Sequence, residues 1–78
     1  MTPDVITVKV IPDYFIKAEF SNGESRLLDM RPYLNYPAFC ALKDDALFLR
    51  AHVKNGVVAW NDEIDLSPDL LYLRGEIC

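Results

Sequence analysis

Histidine and tryptophan occur once each in this chain, cysteine twice and glycine three times, and each shortage removes a class of function. His52 has no spacing to Cys40 or to a serine that brings base and nucleophile together locally, so no catalytic triad is encoded. Cys40, inside an apolar run, and Cys78, at the last position, make neither a disulfide framework nor a zinc site. Cys40 is expected to act as a small buried hydrophobe. Gly23, Gly56 and Gly75 fall at turns or near the end, so no glycine-rich loop is present to cradle a phosphate. No window reaches the roughly 18 apolar residues of a membrane span. The start, MTPDVITVKV, lacks the charged and then apolar regions of a secretory signal. The cytoplasm is the expected address, and no membrane partner is expected.

Clustered positive charge is missing as well. Eight Lys and Arg stand against twelve Asp and Glu, a net charge of −4, and the cations Lys9, Lys17, Arg26, Arg31, Lys43, Arg50, Lys54 and Arg74 are scattered singly. Displacing counterions from a nucleic-acid backbone needs a basic stripe, so direct nucleic-acid binding by this domain is not expected. The acidity suits a basic partner, although a pI near 4.7 is also ordinary for a soluble protein.

What is present is a globular composition, 51% hydrophobic and 26% charged, in a chain long enough for one small domain, residues 1–78. A core of this size supplies only roughly 3–5 kcal/mol, which leaves self-association open. Ile6, Val8 and Val10 alternate with Thr7 and Lys9, the period of two that turns one strand face to a core; Pro12 and Asp13 end that strand. After YFIKAEF comes Asn22-Gly23, a dipeptide suited to positive φ at both hairpin positions. A two-residue loop there pairs Phe20 with Ser25, Glu19 with Arg26 and Ala18 with Leu27. Glu19 and Arg26 then form an outer ion pair, and Leu28 fits poorly. Pro37 suits the first turn of a short helix carrying Phe39, Cys40 and Leu42. ALFLRAHVKNGVVAW reads as a second hairpin about Asn55-Gly56, pairing Val53 with Val58, Ala51 with Trp60 and His52 with Ala59. Trp60 should face the core and His52 the solvent. The sum is an α+β domain of antiparallel hairpins, about five strands, with two short helices.

Four of the twelve acids crowd into WNDEIDLSPDLLY, residues 60–72. Ser67, Pro68 and Asp69 make a helix start: a hydroxyl for orphan N–H groups, a fixed φ at the first position and an acid in the first turn. Leu70, Leu71, Tyr72 and Leu73 supply its buried side. Asp65 is placed to accept backbone N–H groups of the Trp60 loop or of the cap. Asp62, Glu63 and Asp65 lack the spacing of a calcium loop, so no metal and no cofactor are expected. For acid–base work Asp29 with Asp65 is the pair to test, one of them needing a raised pKa in a cleft. Tyr33 and Tyr36, with Pro37, form either an exposed contact patch or a cover for the sheet edge.

Together, FSNGE, LLDMRPYL, FCAL and the tail from Trp60 through Asp65, Pro68, Asp69, Leu71 and Tyr72, supported by Gly23, Asp29 and Leu42, resemble the small bacterial family termed domain of unknown function 2442. The resemblance covers nearly the whole chain. It implies a compact α+β fold and no established activity. Members of such families occur alone, beside a gene for another small protein as in a toxin–antitoxin pair, or fused to a helix-turn-helix segment. One departure is Glu63, where the family usually carries glycine, so a strained turn conformation would pass to Asn61 or Asp62. Two functions are therefore expected. The first is a non-enzymatic interaction or regulatory module, antitoxin-like, presenting a sheet edge or Tyr33, Tyr36 and Pro37 to a small basic protein. The alternative is a ligand-binding or hydrolytic domain with an acidic cleft at Asp29, His52 and Asp65.

Overall fold

The computed structural model describes residues 2–61 and 63–77; the expectations for Asp62 and Cys78 lie outside them. Strands β1 (Val5–Ile11), β2 (Phe15–Phe20) and β3 (Ser25–Asp29) form an antiparallel meander. Helix α1 (Asp45–Phe48) then leads to β4 (His52–Lys54), β5 (Val57–Ala59) and the two-residue β6 (Asp65–Leu66). Helix α2 (Pro68–Arg74) and a two-residue β7 (Glu76–Ile77) complete the chain. β7 returns beside β3, giving one sheet in the order β1-β2-β3-β7 and a second in the order β4-β5-β6. The fold is α+β, with five strands of three or more residues among those described.

The second hairpin forms as the sequence predicts: His52 pairs with Ala59 and Val53 with Val58, because Asn55 and Gly56 both take positive φ, 53° and 79°. Trp60 is buried and His52 exposed. The first hairpin differs by one residue. Phe20 N–H bonds to the Glu24 carbonyl at 2.8 Å and Gly23 N–H to the Phe20 carbonyl at 3.0 Å. The loop is therefore the three residues Ser21, Asn22 and Gly23, with only Gly23 left-handed, at φ 87°. This is the three-residue connection of a turn followed by a left-handed glycine. Lys17 now pairs with Leu27, Ile16 with Leu28 and Ala18 with Arg26. Since side chains alternate faces, the slip carries Leu28 into the core and Leu27 out of it. Arg26 goes in too, so the expected outer pair with Glu19 is replaced by a buried arginine.

β1 carries a bulge between Val5 and Thr7, which inserts Ile6 as an unopposed residue and reverses the parity of the faces. Val5 is therefore core, Val8 and Val10 pack against it, and Ile6 is exposed instead of inward. The helix expected at Pro37 is replaced by successive tight turns, a 3-10 turn at Cys40–Lys43, and then α1. Asp44 starts α1 by accepting from the Ala46 N–H at 3.0 Å. Leu42 and Phe48 are the buried anchors of this stretch, while Cys40 is exposed, contrary to expectation. The core joins both sheets through Ile16, Phe20, Met30, Val58, Trp60 and Leu71. Val5 N–H bonds to the Gly56 carbonyl at 3.0 Å, tying β1 to the second hairpin.

Candidate functional site

The tail reads in the structure as a set of anchors. Ser67 accepts from the Asp69 N–H at 3.2 Å and Pro68 opens α2. Asp69 also accepts from the Thr2 hydroxyl, which holds the N-terminal segment to the start of α2. Trp60 is almost fully buried, stacks on Phe48 with centroids 6.0 Å apart, and donates its indole N–H to the Phe48 carbonyl at 3.0 Å. Trp60 N–H closes the following loop on the Ile64 carbonyl at 3.0 Å.

Asp65 does not do what its position promises. It is exposed on β6, and none of the hydrogen bonds or ion pairs among the described residues reaches its carboxylate. Asn61 holds the loop instead, its Oδ1 accepting from the N–H groups of Glu63 and Ile64, each at 2.8 Å. Asn61 does so without positive φ.

Tyr72 belongs to a network that the slipped register creates. The buried Arg26 guanidinium lies 4.5 Å from the Tyr72 ring centroid and donates Nε–H to the Tyr72 carbonyl at 3.2 Å. Its Nη2 bonds to Glu24 at 3.0 Å. Glu24 also accepts from the Tyr72 hydroxyl and from Asn22. The Tyr72 hydrogen bond, above all, and then Asn22 hold the Glu24 carboxyl below its ordinary pKa. Burying a guanidinium is costly unless it is paired, and this cluster pairs Nε and Nη2 between the β2–β3 hairpin and α2, while Nη1 is buried with no hydrogen-bond partner among the described residues. The sequence places Arg26 in an outer pair with Glu19 and gives Glu24 no role; the available signal for the observed arrangement is Met30, two residues beyond Leu28, which fixes the inward parity of β3.

The candidate acids and the histidine do not converge. Asp29 is clamped by Arg31 through Oδ2···Nη2 at 2.8 Å and Oδ1···Nε at 3.0 Å. That hydrogen bonding is the largest cause lowering its pKa, opposite to what a general acid needs. Asp29 lines a cavity of about 250 Å³ with Phe15, Leu27, Pro32, Tyr33 and Arg74. Asp65 lines a different one with Lys54, Ala59 and Asn61, and His52 lines neither. His52 shares a cross-strand row with Ala59 and Asp65, but its Nδ1–H donates to the Arg50 carbonyl at 2.9 Å. Among the described residues, no three His, Cys, Asp or Glu side chains are grouped to hold a metal ion.

Tyr33 packs half-buried against the core, and its ring meets Tyr36 edge-on at 5.9 Å. Tyr36 and Pro37 are exposed.

A concavity of about 400 Å³ lies elsewhere, between the β1–β2 turn and α1. Val10, Ile11, Pro12, Phe48 and Leu49 give it apolar walls, with Asp13 and Asp45 among its lining. Asp13 and Tyr14 both hold left-handed backbone, φ 72° and 67°, a conformation uncommon for a bulky residue such as tyrosine. The Tyr14 hydroxyl donates to the Lys43 carbonyl at 2.5 Å and its ring packs edge-on to Phe48 at 5.1 Å. Hydrogen bonding with Asp45, then burial and the charges of Asp45 and Asp44, raise the phenol pKa.

A small α+β domain with a buried arginine–tyrosine anchor, separated acids and one acid-lined apolar groove is the class these features define. The chain belongs to the family described as Protein of unknown function (DUF2442), whose model matches residues 5–76. No curated protein and no solved structure matches it. Among the described residues, no helix is long and apolar enough to cross a membrane.

Proposed function

We propose that the chain is a non-enzymatic protein-interaction module of the bacterial cytoplasm, antitoxin-like, which binds a small basic protein encoded beside it. The observation that carries this reading is the groove beside α1: Leu49 on its wall is 67% exposed, next to other apolar residues and two carboxylates. Scattered exposed hydrophobics are normal on a monomer, whereas an apolar wall continuous with a concavity marks a contact surface. Net charge −4 favours encounter with a basic partner. The exposed Tyr36 and Pro37 offer a second contact patch on the surface.

Co-expression with the adjoining gene product, tagged on that product, tests the reading. The expected result is a stable complex that survives gel filtration near 0.15 M salt. Recovery of the two proteins in separate fractions contradicts it.

A further inference from the structure

We propose that the groove between the β1–β2 turn and α1 receives an apolar side chain flanked by lysine or arginine, carried on an exposed segment of a protein partner. This deepens the interaction reading above and rests on it. At about 400 Å³ the groove falls in the size range of pockets that enclose a small ligand, about 300–1,000 Å³. Its chemistry is two-part. Val10, Ile11, Pro12, Phe48 and Leu49 form an apolar floor and wall, and Asp13 and Asp45 stand on the two opposing elements.

Asp44 adds a third negative charge close enough to act, with Asp45, on Tyr14, while its carboxylate caps α1. Arg31 feels the charge of Asp13, but Arg31 is already held by Asp29 through both carboxylate oxygens. A phosphate-bearing occupant would meet repulsion here, so charge complementarity selects a basic one.

The groove is also set before anything binds. Tyr14 ties the turn to the segment before α1 through its hydrogen bond to the Lys43 carbonyl and its contact with Phe48. Little ordering remains to be done on association.

The test uses the full chain and a fluorescein-labelled eight-residue peptide of alternating lysine and leucine, against a glutamate–leucine peptide of the same length. The lysine–leucine peptide should bind, and its affinity should fall as salt rises from about 0.05 to about 0.5 M because the screening length shortens. Backbone amide shifts should concentrate in residues 10–14 and 45–49. Asp13→Asn with Asp45→Asn should reduce affinity about tenfold; asparagine tolerates the left-handed backbone at position 13, and Trp60 fluorescence reports that the variant is folded.

Equal binding of the glutamate–leucine peptide, shifts confined to other surfaces, or undiminished affinity of the double variant would overturn the proposal. So would sedimentation as a dimer that Leu49→Glu dissociates, which would make a second copy the occupant. Capture of the adjoining gene product by wild type and double variant alike removes the groove while leaving the interaction reading standing. Failure of the wild type to capture it, with tight groove-directed peptide binding, removes the antitoxin-like assignment and leaves the groove.

Discussion

At Trp60 and Tyr72 the ring and the polar atom do separate work. The indole fills the core against Phe48 while its N–H satisfies the Phe48 carbonyl; the phenol covers Arg26 and Phe20 while its hydroxyl orders Glu24. The acid that the sequence makes prominent, Asp65, is exposed, and the less conspicuous Asn61 carries the loop. Two variants separate them. Asp65→Asn should leave stability within about 0.5 kcal/mol, as for other surface changes. Asn61→Ala, which strips the acceptor from two backbone N–H groups, should cost about 1–2 kcal/mol. Urea denaturation followed by Trp60 fluorescence measures both, and the reverse order contradicts the assignment. Residue types alone do not distinguish Asn61 from Asp65, since both side chains accept hydrogen bonds; only the path of the loop does.

Among the elements, the two Asn-Gly hairpins show how far local signals reach. At Asn55-Gly56 both residues adopt positive φ and the predicted register holds. At Asn22-Gly23 only Gly23 does, because Asn22 instead turns its side chain onto the Glu24 N–H at 3.0 Å. The dipeptide is the same; the deciding fact is tertiary, that Leu28 and Met30 must share a face with Ile16 and Ala18, which needs an odd number of loop residues. Ile6 faces outward against its alternating pattern for a like reason, since a bulge leaves no mark in such a pattern. The stretch ALFL has the apolar pattern of a strand leading into the second hairpin, but Asp44 caps it into α1, a helix too short to show a period. The start of α2 was legible because three independent cap signals coincide there. Ser67→Ala should cost about 1 kcal/mol through loss of that cap. Gly75→Ala should destabilise more, since its Cβ would lie 2.5 Å from the Leu71 carbonyl oxygen and 2.9 Å from the Arg26 Cβ. Thermal unfolding of the two variants in parallel checks the ranking.

For the whole molecule, a Cα radius of gyration of 11.3 Å sits beside the roughly 11.5 Å expected of a compact domain this long. Composition and patterning were sufficient for the α+β class. They were not sufficient for the site, because the groove is assembled from residues 10–14 and 45–49, which no local spacing relates. The charged groups set the pH response. Glu24 and Asp29 both have lowered pKa values, from hydrogen bonds with Tyr72 and Arg31 respectively, so the unfolded chain takes up protons first as acid is added. Their contribution is present above the ordinary values of 4.5 and 3.8 and is lost as pH falls through the lower folded values. Tyr14 acts at the other end: its raised pKa gives a contribution present below the ordinary 10.0 and lost as pH climbs through the folded value. Tyr72→Phe should flatten the acid limb of a stability–pH curve, having removed the largest cause of the Glu24 shift.

The interaction account is tested most directly by calorimetric titration of the adjoining gene product into this chain at about 0.05 and about 0.3 M salt. It predicts saturable one-to-one binding that weakens at the higher salt as the carboxylates are screened. Heats indistinguishable from dilution, or an affinity that salt leaves unchanged, would contradict it.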